Sequence, residues 1–274
     1  MMEIEELAYR ALIKEVELTP KPGLVDKNNS GSHSDMNLDT FYKSSKAIKP
    51  FIGRFLDCGK EALHVEPKIL FNRLRVIGKE CEDEMFRATK GVNTHKGLIF
   101  SFAVICGAIG KLKAEQRLLT YKQLQDEIQK VCKDLVKKDL FGKREAKTNG
   151  ERLYIRRKLA GIRDEAQKGY PTVFKHSLPF YMQSEQKYGE DMALKLTLLL
   201  IATMAVDSNL FARGGICGVN FVKKRAKELL HQKDIIGLDK KLDEFDKEMI
   251  EKNLSIGGSA DLLCLTWFLS KVDL

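Results

Sequence analysis

Apolar residues recur every three to four positions along nearly the whole chain and nowhere alternate over a sustained run. Ile4, Ala8, Leu12 and Val16 share one helical face at i, i+4 spacing. Thr19-Pro20-Lys21-Pro22-Gly23 must end that helix, because proline has no N–H and clashes with the preceding turn. No Asn-Gly or Asp-Gly turn joins two alternating runs, so hairpins are not expected. The pattern predicts an all-α fold. Helices are expected over 37–57 (interrupted near Pro50), 67–88, Gly97 to Gly110, Thr120 to Lys138, 151–168, 172–188, 191–206, 218–231, 239–251 and 259–270. Thr120 and Gln123 have capping-box spacing. Lys143 to Gly150 reads as a surface loop. No linker or repeat divides the chain, so residues 1–274 are expected to form a single multi-helix globular domain, with Gly-rich polar loops around an active-site cleft.

A chain of 274 residues with 43% hydrophobic and 31% charged residues can bury a core without metal or disulfide staples. Its net charge is +9, and residues 111–163 carry the whole excess, with 16 Lys/Arg against 7 Asp/Glu. That segment reads either as a solvated basic surface or as a face for an anionic ligand. Among the six cysteines there is no CxxC pair, which excludes thioredoxin-like and zinc-knuckle readings. Cys106, Cys217 and Cys264 read as packed free thiols. From the acidic start, Met1-Met2-Glu3-Ile4-Glu5-Glu6, no signal peptide is expected. The apolar run Met192 to Val206 contains Lys195 and is too short to span a bilayer. The expectation is a reduced, cytoplasmic protein with no membrane attachment.

Four polar loops, each beside an apolar helix, are the places for chemistry. In the first, two prolines stiffen the chain around Lys21, a candidate phosphate contact, and His33 and Asp35 follow. The second, Gly91-Val-Asn-Thr-His-Lys-Gly97, puts Asn93, His95 and Lys96 at a helix N-terminus, where free N–H groups attract anions. In the third, Asp207 is read as closing an apolar helix at the negative end of its dipole, a position that calls for a cation, either a divalent metal or Arg213. Gly214 and Gly215 follow. In the fourth, Ser255, Gly257, Gly258 and Ser259 could cradle phosphates, with Ser259 also a good N-cap. Neither G-x-x-x-x-G-K-[ST] nor G-x-G-x-x-G is present. From the residues alone, a phosphorylated substrate and metal-assisted transfer fit; the reaction is not named by them.

The loops in order resemble one family. Leu18-Thr-Pro-Lys-Pro-Gly-Leu-Val-Asp26, Gly31-Ser-His-Ser-Asp-Met36, Met85-Phe-Arg-Ala-Thr89, Gly91 to Gly97, Asp207-Ser-Asn209, Arg213-Gly-Gly215 and Leu254-Ser-Ile-Gly-Gly-Ser-Ala-Asp-Leu262 are similar to the landmarks of triphosphoribosyl-dephospho-CoA synthases. Three departures stand out: Ser208 replaces Thr, Ile256 replaces Pro, and Asp164 replaces Gly within Gly161-Ile-Arg-Asp-Glu-Ala166. The resemblance implies attack of the 2′-hydroxyl of 3′-dephospho-CoA on C1′ of the ATP ribose. Adenine leaves, the triphosphate stays on the transferred sugar, and Mg²⁺ assists. The product would be the precursor of the prosthetic group of the citrate lyase acyl carrier protein, or of malonate decarboxylase, handed to a separate carrier-protein transferase.

On this reading Asp35, His95, Asp207 and Asp261 are candidate catalytic residues, and Asp35, Asp207 and Asp261 candidate metal ligands. Lys21, Asn93, Lys96, Arg163, Arg213, Gly214, Gly215, Ser255, Gly257, Gly258 and Ser259 are candidate substrate contacts. An N-glycosidic hydrolase of the ADP-ribosylglycohydrolase type is the alternative. A nucleic-acid binder is disfavoured, because 111–163 offers few interleaved aromatics beyond Tyr121, Phe141 and Tyr154.

Overall fold

The computed structural model describes residues 3–117, 119–142, 145–146, 148–232 and 235–273. They form α1 (Ile4–Glu17), α2 (Leu38–Lys60), α3 (Pro67–Ala88), α4 (Lys96–Ala114), α5 (Tyr121–Val131), α6 (Leu135–Leu140), α7 (Asn149–Arg157) and α8 (Ile162–Gln167). A π-helical turn (Thr172–Ser177) leads into α9 (Leu178–Tyr188), followed by α10 (Glu190–Met204), α11 (Ser208–Leu230), α12 (Leu238–Glu251) and α13 (Gly257–Lys271). No strand occurs among the described residues, and the fold is all-α. One continuous core runs from Leu7 to Val272, and on that ground we take 1–274 as a single domain.

Helices α4, α10 and α13 are apolar on all sides, which suits burial rather than a surface stripe. By itself α4 is long and apolar enough to cross a membrane, yet 78% of its most apolar stretch is buried inside the protein. Glycines set how closely α2 and α4 approach. A Cβ on Gly110 would lie 2.0 Å from the Leu56 carbonyl oxygen, and one on Gly59 2.1 Å from that of Gly107. The backbones touch there, in the C-terminal half of α4, and hold α4 against α2.

Several expected boundaries move. Helix α2 runs through Pro50 without a break. Pro50 and Lys46, whose carbonyl loses its partner, are both exposed, so water can satisfy that oxygen. The helix expected to reach Lys138 breaks at Asp134, and the one over 151–168 breaks at Lys158 and Gly161, all at positive φ. Thr120 caps α5, but Gln123 does not return the bond. Helix α11 starts ten residues early, at Ser208, and absorbs a kink at Gly215 (φ 56°). The expected loop 143–150 lies partly outside the described residues; α7 takes up its end. Cys217 is exposed rather than packed, whereas the other five cysteines are buried and all six are free.

The loop after α1 is also different from a solvated loop. Residues 20–26 are all buried. Asp26 accepts from the backbone N–H groups of Lys21, Asn28 and Asn29. Asp246, on α12, accepts from the Gly23 N–H (2.8 Å) and from Asn29 Nδ2 (2.9 Å). Two carboxylates thus replace the regular backbone bonds that the prolines deny this segment.

Candidate active site

A cavity of about 1110 Å³ opens where three long helices begin. Gly97 at the start of α4, Ser208 and Asn209 at the start of α11, and Gly257 and Gly258 at the start of α13 all line it. Each helix N-terminus carries positive partial charge, so the three together favour a polyanion, although Asp207 already takes three N–H groups at α11 and α13 and Asn93 one at α4. The glycines keep the wall thin. A Cβ on Gly97 would lie 2.5 Å from Asp261 Oδ2, and one on Gly258 would lie 3.0–3.1 Å from the Asp207 carboxylate.

Asp35, His95, Asp261, Lys21, Asn93, Lys96, Arg163, Arg213, Ser255, Gly257 and Gly258 all border this space. Their roles differ in detail. The Asp261 carboxyl receives no hydrogen bond from any described residue. Burial first, then the charges of Glu15 and Asp207, push its pKa well above the ordinary range. Asp35 is exposed and stands 3.9 Å from His33 Nδ1. It does not cap α2, because Asn37 does so in a capping box with Thr40. Lys96 pairs with Glu82 at 2.7 Å, and its backbone N–H donates to Asn93 Oδ1. The Arg163 Nε donates to Asp139, which Arg75 also holds. The cations of the basic segment are thus partly spent internally: Lys111 and Lys130 on Glu127, and Lys122 on Asp126.

Lys21 is not a free phosphate hook. It is 2% exposed, and its ammonium donates to Glu15 Oε1 (2.6 Å) and to the Glu15 carbonyl (2.7 Å). Arg213 likewise works as a clasp: its guanidinium donates to the Ser32 carbonyl, Asn253 Oδ1 and His33 Nδ1. His33 then meets Ser255 Oγ through Nε2 at 3.0 Å. Since Nδ1 accepts from an arginine, His33 is neutral and carries its proton on Nε2. Burial and the Arg213 charge lower its pKa to about 4.

Asp207 stands in a different place from the one its sequence position suggests. Helix α10 ends at Met204, and Asp207 is the N-cap of α11. Its Oδ1 accepts from Asn209 N and Leu210 N, and its Oδ2 from Ser259 N and Ser259 Oγ. The carboxylate therefore faces the positive ends of two helices and needs no metal there. Asp207 and Ser259 lie behind the cavity wall, not on it. Gly214 and Gly215 also stay off the wall. Gly214 leaves room for Leu254, whose Cδ2 would lie 2.3 Å from an added Cβ, and Gly215 forms the kink.

The three carboxylates expected to hold Mg²⁺ are not gathered. Among the described residues no group of three His, Cys, Asp or Glu side chains could hold a metal ion. The oxygens of Asp207 are already occupied. The residues do not fit a protein-held metal centre.

Sequence reading missed Glu15 and Ser44, and it named His33 without assigning it a role. Glu15 occupies an inward position of α1 next to Leu12 and Val16, and a charge at such a position was the available signal. Ser44, one turn before Ile48 on the buried face of α2, is the same kind of signal.

Fold and cavity define an all-α protein built to hold polyanionic ligands at converging helix N-termini beside a desolvated carboxyl. The chain belongs to the ATP:dephospho-CoA triphosphoribosyl transferase family (CitG), whose profile matches residues 1–274. It is a pentosyltransferase that moves a triphosphoribosyl group onto dephospho-CoA, with ATP and dephospho-CoA as the family's substrates. No solved structure matches the chain.

Proposed function

We propose that the chain transfers the 5-triphosphoribosyl group of ATP to the 2′-hydroxyl of 3′-dephospho-CoA and releases adenine. The C1′–O2′ bond forms and the C1′–N9 bond breaks. The hydroxyl proton goes to a base, and the departing adenine takes up a proton. The product is the precursor of the citrate lyase prosthetic group and passes to a separate carrier-protein transferase. Free thiols at all six cysteines support a reducing, cytoplasmic setting.

The observation that carries this reading is the meeting of three helix N-termini and Asp261 on one cavity large enough for two nucleotides. The N-termini suit the triphosphate of one substrate and the diphosphate of the other. Burial raises the Asp261 pKa, which makes its ionised form a stronger base for the hydroxyl proton. Once ionised, it also opposes the positive charge that grows at C1′ as the glycosidic bond lengthens. One inverting displacement needs no covalent enzyme intermediate. Mg²⁺ enters on the triphosphate as part of the substrate, the usual habit of a hard, strongly hydrated ion.

The test is adenine release, followed by chromatography, from ATP and Mg²⁺ with and without dephospho-CoA. Adenine only in the presence of dephospho-CoA, together with a heavier CoA derivative, is the expected result. Adenine without acceptor would replace transfer by hydrolysis. No adenine under either condition would overturn the reading.

A further inference from the structure

The transfer reaction as described gives His95 no role, and the surroundings of its ring are unusual. The ring is 2% exposed. Its Nδ1 lies 2.6 Å from Ser44 Oγ, and the Thr94 hydroxyl donates to the same Ser44 Oγ at 2.7 Å. Phe41 meets the ring edge-on at 5.0 Å between centroids, which fixes its plane. Its Nε2 is buried and has no partner in the protein, while the residue lines the cavity. A buried polar atom left unpaired costs stability unless a ligand completes it.

We propose that His95 is a neutral hydrogen-bond donor that offers its Nε2–H to a lone pair of the bound nucleotide, and that Ser44 and Thr94 are the positioning residues that fix this tautomer. Ser44 has one hydroxyl proton and two neighbours. If Thr94 donates to Ser44, the Ser44 proton must point at Nδ1, and the ring proton must sit on Nε2. The reverse arrangement, Nδ1–H to Ser44 to Thr94, would send the last proton to Met85 Sδ, 3.1 Å from Thr94 Oγ1. Thioether sulfur is a weak acceptor, so the first direction wins.

Charge points the same way. Burial, with the Lys21 charge behind it, lowers the His95 pKa to about 3. The imidazolium that a general acid needs is therefore absent near neutral pH, and a ring so weakly basic is a poor proton acceptor. The remaining capacity is donation from neutral imidazole to an oxygen or ring nitrogen of the ligand. No proton is transferred in this role, so it adds no step to the reaction. It rests on the transfer reading only for the identity of the ligand.

The test is read on the full chain labelled with [15N]histidine, by long-range 1H–15N correlation from about pH 5 to pH 8, with His95→Gln used to assign the signal. The expected result is a pyridine-type Nδ1 and a pyrrole-type Nε2 across that range. Ser44→Ala should give averaged shifts as both tautomers populate, and Ser44→Thr should restore the single one. A pyrrole-type Nδ1 in the parent protein, or a ring that titrates near its ordinary value, would overturn the proposal. These readouts need no turnover, so they stand apart from any failure of the transfer assay. In that assay, Gln places an amide N–H near the Nε2 position and Asn does not. His95→Gln should retain at least tenfold more activity than His95→Asn; equal loss in both would also count against a donor role.

Discussion

Asp261 shows how a single side chain trades stability for chemistry. Its carboxyl is held by no described donor, and burial raises its pKa well above that of the unfolded chain. A raised carboxyl pKa means that folding favours the protonated form. The penalty is therefore absent below the unfolded value and grows as pH rises through the folded one. Asp261→Asn removes the ionisation. It should gain more stability over the parent at pH 8 than at pH 4, measured by urea unfolding, while transfer falls by about 100-fold or more. An unchanged rate, or a stability gain confined to acid, would count against the assignment. Asp207, also raised by burial, differs in its partners: four donors fill its oxygens, and it joins two helix starts rather than meeting a ligand.

Among the elements, the α2–α4 contact decides where the N-terminus of α4 can point. Phe41 and Ser44 reach His95 from α2, so this crossing also sets the ring that faces the cavity. An added methyl at Gly110 would meet backbone, the Leu56 carbonyl at 2.0 Å, whereas at Gly107 it would meet the Leu74 side chain at 2.5 Å. Backbone cannot step aside as a leucine rotamer can. Gly110→Ala should therefore cost about 3 kcal/mol and Gly107→Ala about 1 kcal/mol, read from chemical denaturation. Equal effects at both positions would mean the helices do not touch through Gly110.

Across the whole molecule, the cavity is closed by ties between segments far apart in sequence. His33 and Arg213 bind the 31–36 loop, α11 and the 253–257 loop into one rim. The folded pKa of His33 is about 4, against an ordinary 6.5. As pH falls below 6.5 the unfolded chain takes up a proton that the folded one refuses until about 4. The stability is thus complete above 6.5 and drains away between 6.5 and 4, by about 3 kcal/mol for this residue. His95, lowered to about 3 for the same reason, adds to the loss over the same interval and on down to about 3. Urea midpoints should drop steeply between pH 7 and pH 4.5, and His33→Gln should flatten part of that drop. A parent protein with level midpoints over that interval would contradict a neutral, buried His33.

Local patterning by itself determined the helices, because the 3.6-residue apolar period is a property of neighbouring residues; 67–88 is recovered to the residue as α3. It also determined that polar loops lie beside apolar helices, and those loops carried the family resemblance. What it could not decide was which end of a helix a loop residue meets. Asp207 follows α10 in sequence, so it read as a strained carboxylate at a negative helix end. In space it caps α11 and the first turn of α13. Lys21 read as a free cation because its partner, Glu15, reaches it only after the chain turns back on α1. Burial and pairing depend on segments brought together from 200 or more residues apart, as between His33 and Ser255. Spacing along the chain does not encode those distances; the packing of α2, α4, α11 and α13 does.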